Sequence, residues 1–147
     1  MAISIKVTVT VNAPVEKVWE IFMDPAYLKH WLTGFISVEH LSGTLGHEGS
    51  TSKLKFLERG RELEVIEKVL HLNPLQQYSF SMQSDAIESL ADVRFVSRGQ
   101  MTEIIQAVQY SPQGFLMKLL MPFMKGAMKK RMTNDLSNLK AFIESQK

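Results

Sequence analysis

The sequence predicts an α+β domain with seven antiparallel strands, two short helices after the first strand, and a long helix at the C-terminal end. Three observations predict it. Apolar and polar residues alternate from Ile3 to Val11, and six further strand-like runs follow at hairpin distances between residues 35 and 110. Beyond Pro112 the apolar period changes from two to that of a helix.

In the first run Ile3, Ile5, Val7, Val9 and Val11 share one parity and Ser4, Lys6, Thr8, Thr10 and Asn12 the other, which is a strand with one buried face. Asn12-Ala13-Pro14 stops it, because proline donates nothing to a ladder but suits the first turn of a helix, with Asn12 or Ala13 expected at the cap. Val15, Val18, Trp19 and Phe22 then recur at helical spacing. Asp24-Pro25 ends this helix and opens a second, over Ala26 to Trp31, which Gly34 closes.

The six middle strands are expected at Phe35 to Leu41, Ser50 to Glu58, Arg61 to Leu72, Gln76 to Gln83, Ile87 to Ser97 and Gln100 to Tyr110. Glycines, Asn73-Pro74 and Ser84-Asp85 punctuate them. Links this short join only antiparallel neighbours, since a parallel crossover needs about a dozen residues. In the last segment Leu116, Leu120, Phe123 and Ala127, a row of methionines, and then Leu136, Leu139, Phe142 and Ile143 follow helical spacing. Pro122 predicts a break there, with a short helix before it and a long one to about Ser145, or a kink.

A length of 147 residues suits a single domain spanning 1–147, and 45% apolar with 22% charged residues is the composition of a folded globular chain. Without cysteine there is no disulfide framework, thiolate metal site or cysteine nucleophile. A net charge of +2, from 17 basic against 15 acidic residues, gives no support to a nucleic-acid partner held through phosphates. The N-terminal alternation is unlike a signal peptide, and the longest apolar run, Phe115 to Met124, is broken by Lys118 and Pro122 and too short for a bilayer that needs about 20 residues. A cytoplasmic protein with no stable membrane insertion is expected; a homodimer stays open.

At the residue level Ile5-Lys6-Val7, Ala13-Pro14-Val15-Glu16-Lys17-Val18-Trp19, Asp24-Pro25 and Leu28 to Trp31 resemble the polyketide cyclase/dehydrase-like branch of the START/Bet v 1-like (SRPBCC) superfamily. Glu67 to Pro74 is similar to that branch's strand ending in an acidic residue or Asn and proline. Leu119-Leu120-Met121-Pro122 with Leu136 to Leu139-Lys140 is similar to its helix. The resemblance covers nearly the whole chain. It implies a helix-grip fold, in which the sheet wraps around the last helix, and an apolar cavity between the two that different members use for lipids, polyketides, hormones or aromatic acids. A shared fold does not by itself transfer a function.

Direct chemical motifs are absent. The four histidines, His30, His40, His47 and His71, show no metal-ligand spacing, and His40 and His47 read more simply as solvated turn residues, so neither metal nor cofactor is expected. No serine stands in a nucleophile elbow, and the glycines of 43–49 lack the ending of a phosphate loop. Strand parity is more informative. If Leu63, Val65 and Val69 face inward, Glu67 does too, and Gln106 joins Ile104, Val108 and Tyr110. Glu67 is then either a polar anchor with a raised pKa, suited to acid–base work, or is paired with a neighbouring Lys or Arg, or is turned to solvent by a bulge. Buried unpaired glutamate is rare, which favours the paired or solvated alternatives.

Met117, Met121, Met124, Met128 and Met132 follow steps of four and three along one helical stripe. Methionine is adaptable and specifies packing poorly, which suits a cavity of variable contents. Met117, Met121 and Met124 are therefore expected to line a cavity, opposite Leu54, Phe56, Tyr78, Phe80, Ala91, Val93 and Phe95, with Met128 and Met132 in solid core. Trp31 and Phe35 are expected at its mouth, and Glu67 and Gln106 as its polar groups. The basic cluster Lys125, Lys129, Lys130 and Arg131 reads as a solvated helix face, because nothing else in the sequence signals a lipid surface.

The main expectation is a binding or carrier domain for a small hydrophobic or amphipathic molecule, without a catalytic set. The alternative is a polyketide cyclase/dehydratase-type enzyme using a pocket carboxylate or tyrosine. A third reading, a regulatory partner-binding module, would use the basic helix face. An enclosed, unpaired carboxylate near a tyrosine would favour the enzyme, and a pocket of apolar side chains and hydroxyls alone would favour the carrier.

Overall fold

A computed structural model describes residues 2–146. Strand β1 (Ile3–Val11) leads into helix α1 (Val15–Met23), a 3₁₀ turn (Pro25–Tyr27) and helix α2 (Leu28–Trp31). Six strands follow, β2 (Phe35–Ser42), β3 (Thr51–Glu58), β4 (Arg61–Asn73), β5 (Gln77–Gln83), β6 (Ile87–Arg98) and β7 (Met101–Pro112), and helix α3 (Phe115–Ser145) closes the chain. The sheet is antiparallel throughout, in the order β1-β7-β6-β5-β4-β3-β2. This is the helix-grip α+β fold: each hairpin link joins neighbours, and the first strand closes the row beside the last.

Two local expectations are corrected. Helix α1 is capped by neither Asn12 nor Ala13. It starts after Pro14, which caps it without a side-chain bond, and the Asn12 N–H donates instead to Glu144 Oε2 at 2.7 Å. Helix α3 also runs through Pro122 without a break, so the two-helix division is not seen. The N–H that proline lacks would have met the carbonyl of Lys118, an exposed residue whose carbonyl can turn to water. Between Asp24 and Trp31 a 3₁₀ turn precedes the helix, and the Asp24 carboxylate accepts from the Ala26 N–H at 2.9 Å.

Gly34 holds the bend from α2 into β2. Its φ is +74°, its carbonyl accepts from Leu57 N–H at 2.7 Å, and a Cβ there would lie 2.5 Å from the Leu57 carbonyl oxygen. Only glycine fits so close an approach in that conformation.

The core divides in two. A large cluster joins β1, β7, β6 and β5 to α1, Trp31 and the C-terminal half of α3, through Met132, Leu136, Leu139 and Ile143. A small one, Leu54, Phe56 and Val65, sits on β3 and β4. The space between these clusters is not filled by side chains, and it is the cavity described next.

Candidate functional site: a cavity between sheet and helix

The cavity has a volume of about 1510 Å³ and is walled by the inner faces of β3 to β7, by α2 and by one face of α3. Its floor is apolar: Leu54, Phe56, Val65, Val69, Phe80, Ala91 and Val108 come from alternate positions of adjoining strands, as one pleated face requires. Ser50, Ser52, Ser84 and Ser89 add hydroxyls, and Glu67, Tyr78 and Gln106 bring the stronger polar groups.

Glu67 is the unusual member. It lies on the inward parity of β4, with Ser52 opposite on β3 and Met82 opposite on β5. The bulge of this strand falls between Val69 and His71, beyond Glu67, and does not turn it outward. Among the described residues no Lys, Arg or His comes within ion-pair distance of it. The group that acts on it is the Tyr78 hydroxyl, whose interaction with the carboxyl favours the charged form. Burial raises the Glu67 pKa to about 7, and the Tyr78 bond opposes that rise only in part. The phenol is pushed upward as well, first by burial and then by the negative charge of Glu67. At neutral pH the pair therefore holds a carboxyl close to half-protonated beside a phenol that keeps its proton.

At one side of the cavity α3 is tied to the α2–β2 bend. Thr33 N–H donates to Asp135 Oδ1 at 3.0 Å, and its hydroxyl donates to the same oxygen. Arg131 donates to the Thr33 carbonyl at 2.8 Å, forms an ion pair with Glu58 and lies 5.6 Å over the Phe56 ring. Burial raises the Asp135 pKa, against the Thr33 bonds and the Arg131 charge. Tyr110, also in the wall, is raised to about 12 by burial and by Asp135.

Of the residues named from sequence, Trp31, Leu54, Phe56, Glu67, Tyr78, Phe80, Ala91, Gln106, Met117 and Met124 border this one cavity. Four do not. Phe35 stands behind Phe56, ring centroids 6.1 Å apart. Phe95 is packed under α1, edge-on to Trp19 and Phe22 at 5.1 Å each, and Val93 is sealed in the same cluster. Met121 is only 1% exposed and lies about three turns from Met132, on the stripe that continues as Leu136, Leu139 and Ile143.

The division of the methionines is thus corrected: Met128 and Met132 do line the cavity, Met132 while also packed in the core, and Met121 does not. A single methionine row at steps of three and four is wide enough to straddle two faces of α3, one on the core and one on the cavity. The serines at 52 and 89 and the Thr33–Arg131–Asp135 tie were not anticipated. Ser52 shares parity with Leu54 and Ser89 with Ala91, so their facing was readable; the tie joins residues about 100 positions apart and has no sequence signal.

Trp31 stacks on Phe22 at 5.3 Å, and its indole N–H is buried with no partner among the described residues. No group of three or more His, Asp or Glu able to hold a metal ion occurs among the described residues, and no helix there is long and apolar enough to cross a membrane.

Comparison with known proteins agrees with this architecture. The Zhui aromatase/cyclase from Streptomyces sp. R1128 superposes with a TM-score of 0.84 at 15% identity, over 98% of this chain and 94% of that one. Ara h 8.0201 gives 0.74 at 12% identity, over 99% and 100%. Norcoclaurine synthase from Thalictrum flavum, solved with dopamine and hydroxybenzaldehyde, gives 0.69 at 17%, over 100% and 89%. At such identities the likeness is one of fold. No curated protein matches the sequence at a significant level. The family model described as polyketide cyclase/dehydrase and lipid transport matches residues 2–144, and with nearly the whole length accounted for, the chain belongs to that family.

Proposed function

We propose that this protein binds a small, mainly apolar molecule in the cavity between sheet and helix, and that Glu67 and Tyr78 receive its polar group. The observation that carries the reading is a large, mainly apolar cavity in which the Glu67 carboxyl lies beside the Tyr78 phenol with no basic side chain among the described residues in ion-pair distance. A pocket lined chiefly by hydrophobic side chains with a few convergent polar groups is the usual form of a small-molecule site. The methionines of α3 add an adaptable wall. Lacking cysteine, the chain needs no oxidising compartment, and we place it in the cytoplasm.

A second reading is supported by the same pair. A carboxyl with a pKa of about 7 is suited to give and take a proton at neutral pH, as a cyclase or dehydratase of polyketide-like substrates requires. An enclosed carboxyl near a tyrosine, rather than hydroxyls alone, favours this catalytic use over passive carriage. In that chemistry Glu67 would remove a proton from an acidic carbon or protonate a leaving hydroxyl, and Tyr78, whose single O–H is directed at the carboxyl, would orient it.

The test is native mass spectrometry of protein from its own cells, with extraction and identification of the retained molecule, followed by incubation of that molecule with the protein and with Glu67→Gln. A retained apolar molecule supports the binding reading. Its conversion by the parent and not by the variant assigns the catalytic one. Retention of nothing, together with failure to take up any apolar probe, would contradict both.

A further inference from the structure

The first turns of α3 carry a largely exposed apolar surface. Phe115 is 82% exposed and Phe123 86%, with Leu116, Leu119 and Leu120 also exposed. Phe115, Leu119 and Phe123 recur every four residues and so share one outward stripe, clear of the stripe that Met121 buries. Contiguous exposure of this kind on a monomer marks a contact surface.

Two observations identify the contact. From Phe115 to Asn134 the helix carries five basic residues and no acidic one, leaving twelve basic against fifteen acidic residues elsewhere. Arg131 is occupied by Glu58 and Thr33, whereas Lys118, Lys125, Lys129 and Lys130 form no ion pair among the described residues and point no charge into the core. An apolar stripe flanked by free lysines, without a carboxylate, complements a surface that is apolar beneath and negative at its face. Secondly, the stripe runs into the cavity: Leu120 and Phe123 are exposed and also border it, as does Leu45, 59% exposed in the turn after β2.

We propose that the N-terminal turns of α3 dock on an anionic lipid bilayer, with Phe115, Leu119 and Phe123 in the acyl boundary and the lysines at the head groups. The helix lies on the membrane and does not span it. Docking sets the Leu120–Phe123 side of the cavity against the lipid, so an apolar molecule passes between bilayer and cavity without crossing water. The docking itself is independent of which molecule the cavity holds.

The experiment is co-sedimentation with phosphatidylcholine vesicles and with mixed phosphatidylcholine–phosphatidylglycerol vesicles, for the parent, for Phe115→Ser/Phe123→Ser and for Lys129→Gln/Lys130→Gln, alongside native mass spectrometry. The substituted side chains are exposed, and the thermal transition checks that each variant folds. The parent is expected to partition to the anionic vesicles, and each double variant to lose about tenfold or more of that partitioning. The lysine variant should also lose the preference for anionic over neutral vesicles. A parent that stays in the supernatant with anionic vesicles overturns the proposal, as does equal binding by all three proteins. A parent dimer that Phe115→Ser/Phe123→Ser converts to monomer overturns it too, because the stripe is then covered by a second copy.

Discussion

The Tyr78 hydroxyl meets the Glu67 carboxyl from the neighbouring strand although the residue directly opposite Glu67 is Met82, four positions along β5. The Val69–Phe80 pair lies between them in the register, on a cavity face that is mainly apolar. No basic side chain among the described residues is within ion-pair distance of Glu67, so burial is opposed only by Tyr78.

That burial makes stability depend on pH. Glu67 has a pKa of about 7 in the fold against 4.5 ordinarily, so between those values the native state binds more protons than the unfolded one and stability falls as pH rises. Glu67→Gln removes this term. Relative to the parent, the variant should gain about 3 kcal/mol on going from pH 4 to pH 8, read from denaturant unfolding at both pH values.

Tyr78→Phe should move the Glu67 titration in a known direction. The phenol's bond holds the carboxyl pKa down against burial, so its loss should raise the midpoint above 7, observed as the Glu67 carboxyl carbon shift against pH. A lower or unmoved midpoint would show that the two groups do not interact.

Methionine substitutions separate cavity from core. Met124→Leu should alter the affinity for a fluorescent apolar probe with near-neutral stability, and Met121→Leu should change stability by about 1 kcal/mol or less and leave probe affinity alone. The reverse pattern would mean that the two faces of α3 have been interchanged.

The tie between α3 and the α2–β2 bend is tested by Asp135→Ala. Thr33 N–H and hydroxyl lose their acceptor, at a cost of about 1–3 kcal/mol in the thermal or denaturant transition. Amide exchange should quicken at residues 32–35 before it does elsewhere.

Much of this was legible in the sequence, for identifiable reasons. Period-two alternation set the first strand, turn signals at hairpin distances marked the other six, and the parity of Leu63, Val65 and Val69 turned Glu67 inward. The closeness of Tyr78 was not legible, because the register sets Met82 opposite Glu67 and Leu72 opposite Tyr78. Phe95 and Val93 have the parity of cavity residues, but α1 lies over that end of β6 and fills the space. The exposure of Phe115 and Phe123 beside the basic face of α3 has no sequence signal, because helical spacing alone does not say which apolar stripe the sheet covers.

The central claim, an apolar cavity whose occupancy is coupled to Glu67, is tested most directly by titrating the protein with an uncharged fluorescent apolar probe across the pH range. An uncharged guest displaces water from the carboxyl and so favours its neutral form. Saturable one-to-one uptake is expected that weakens as pH rises through about 7, with a flat profile for Glu67→Gln. Absence of saturable uptake, or a parent profile as flat as the variant's, would contradict it.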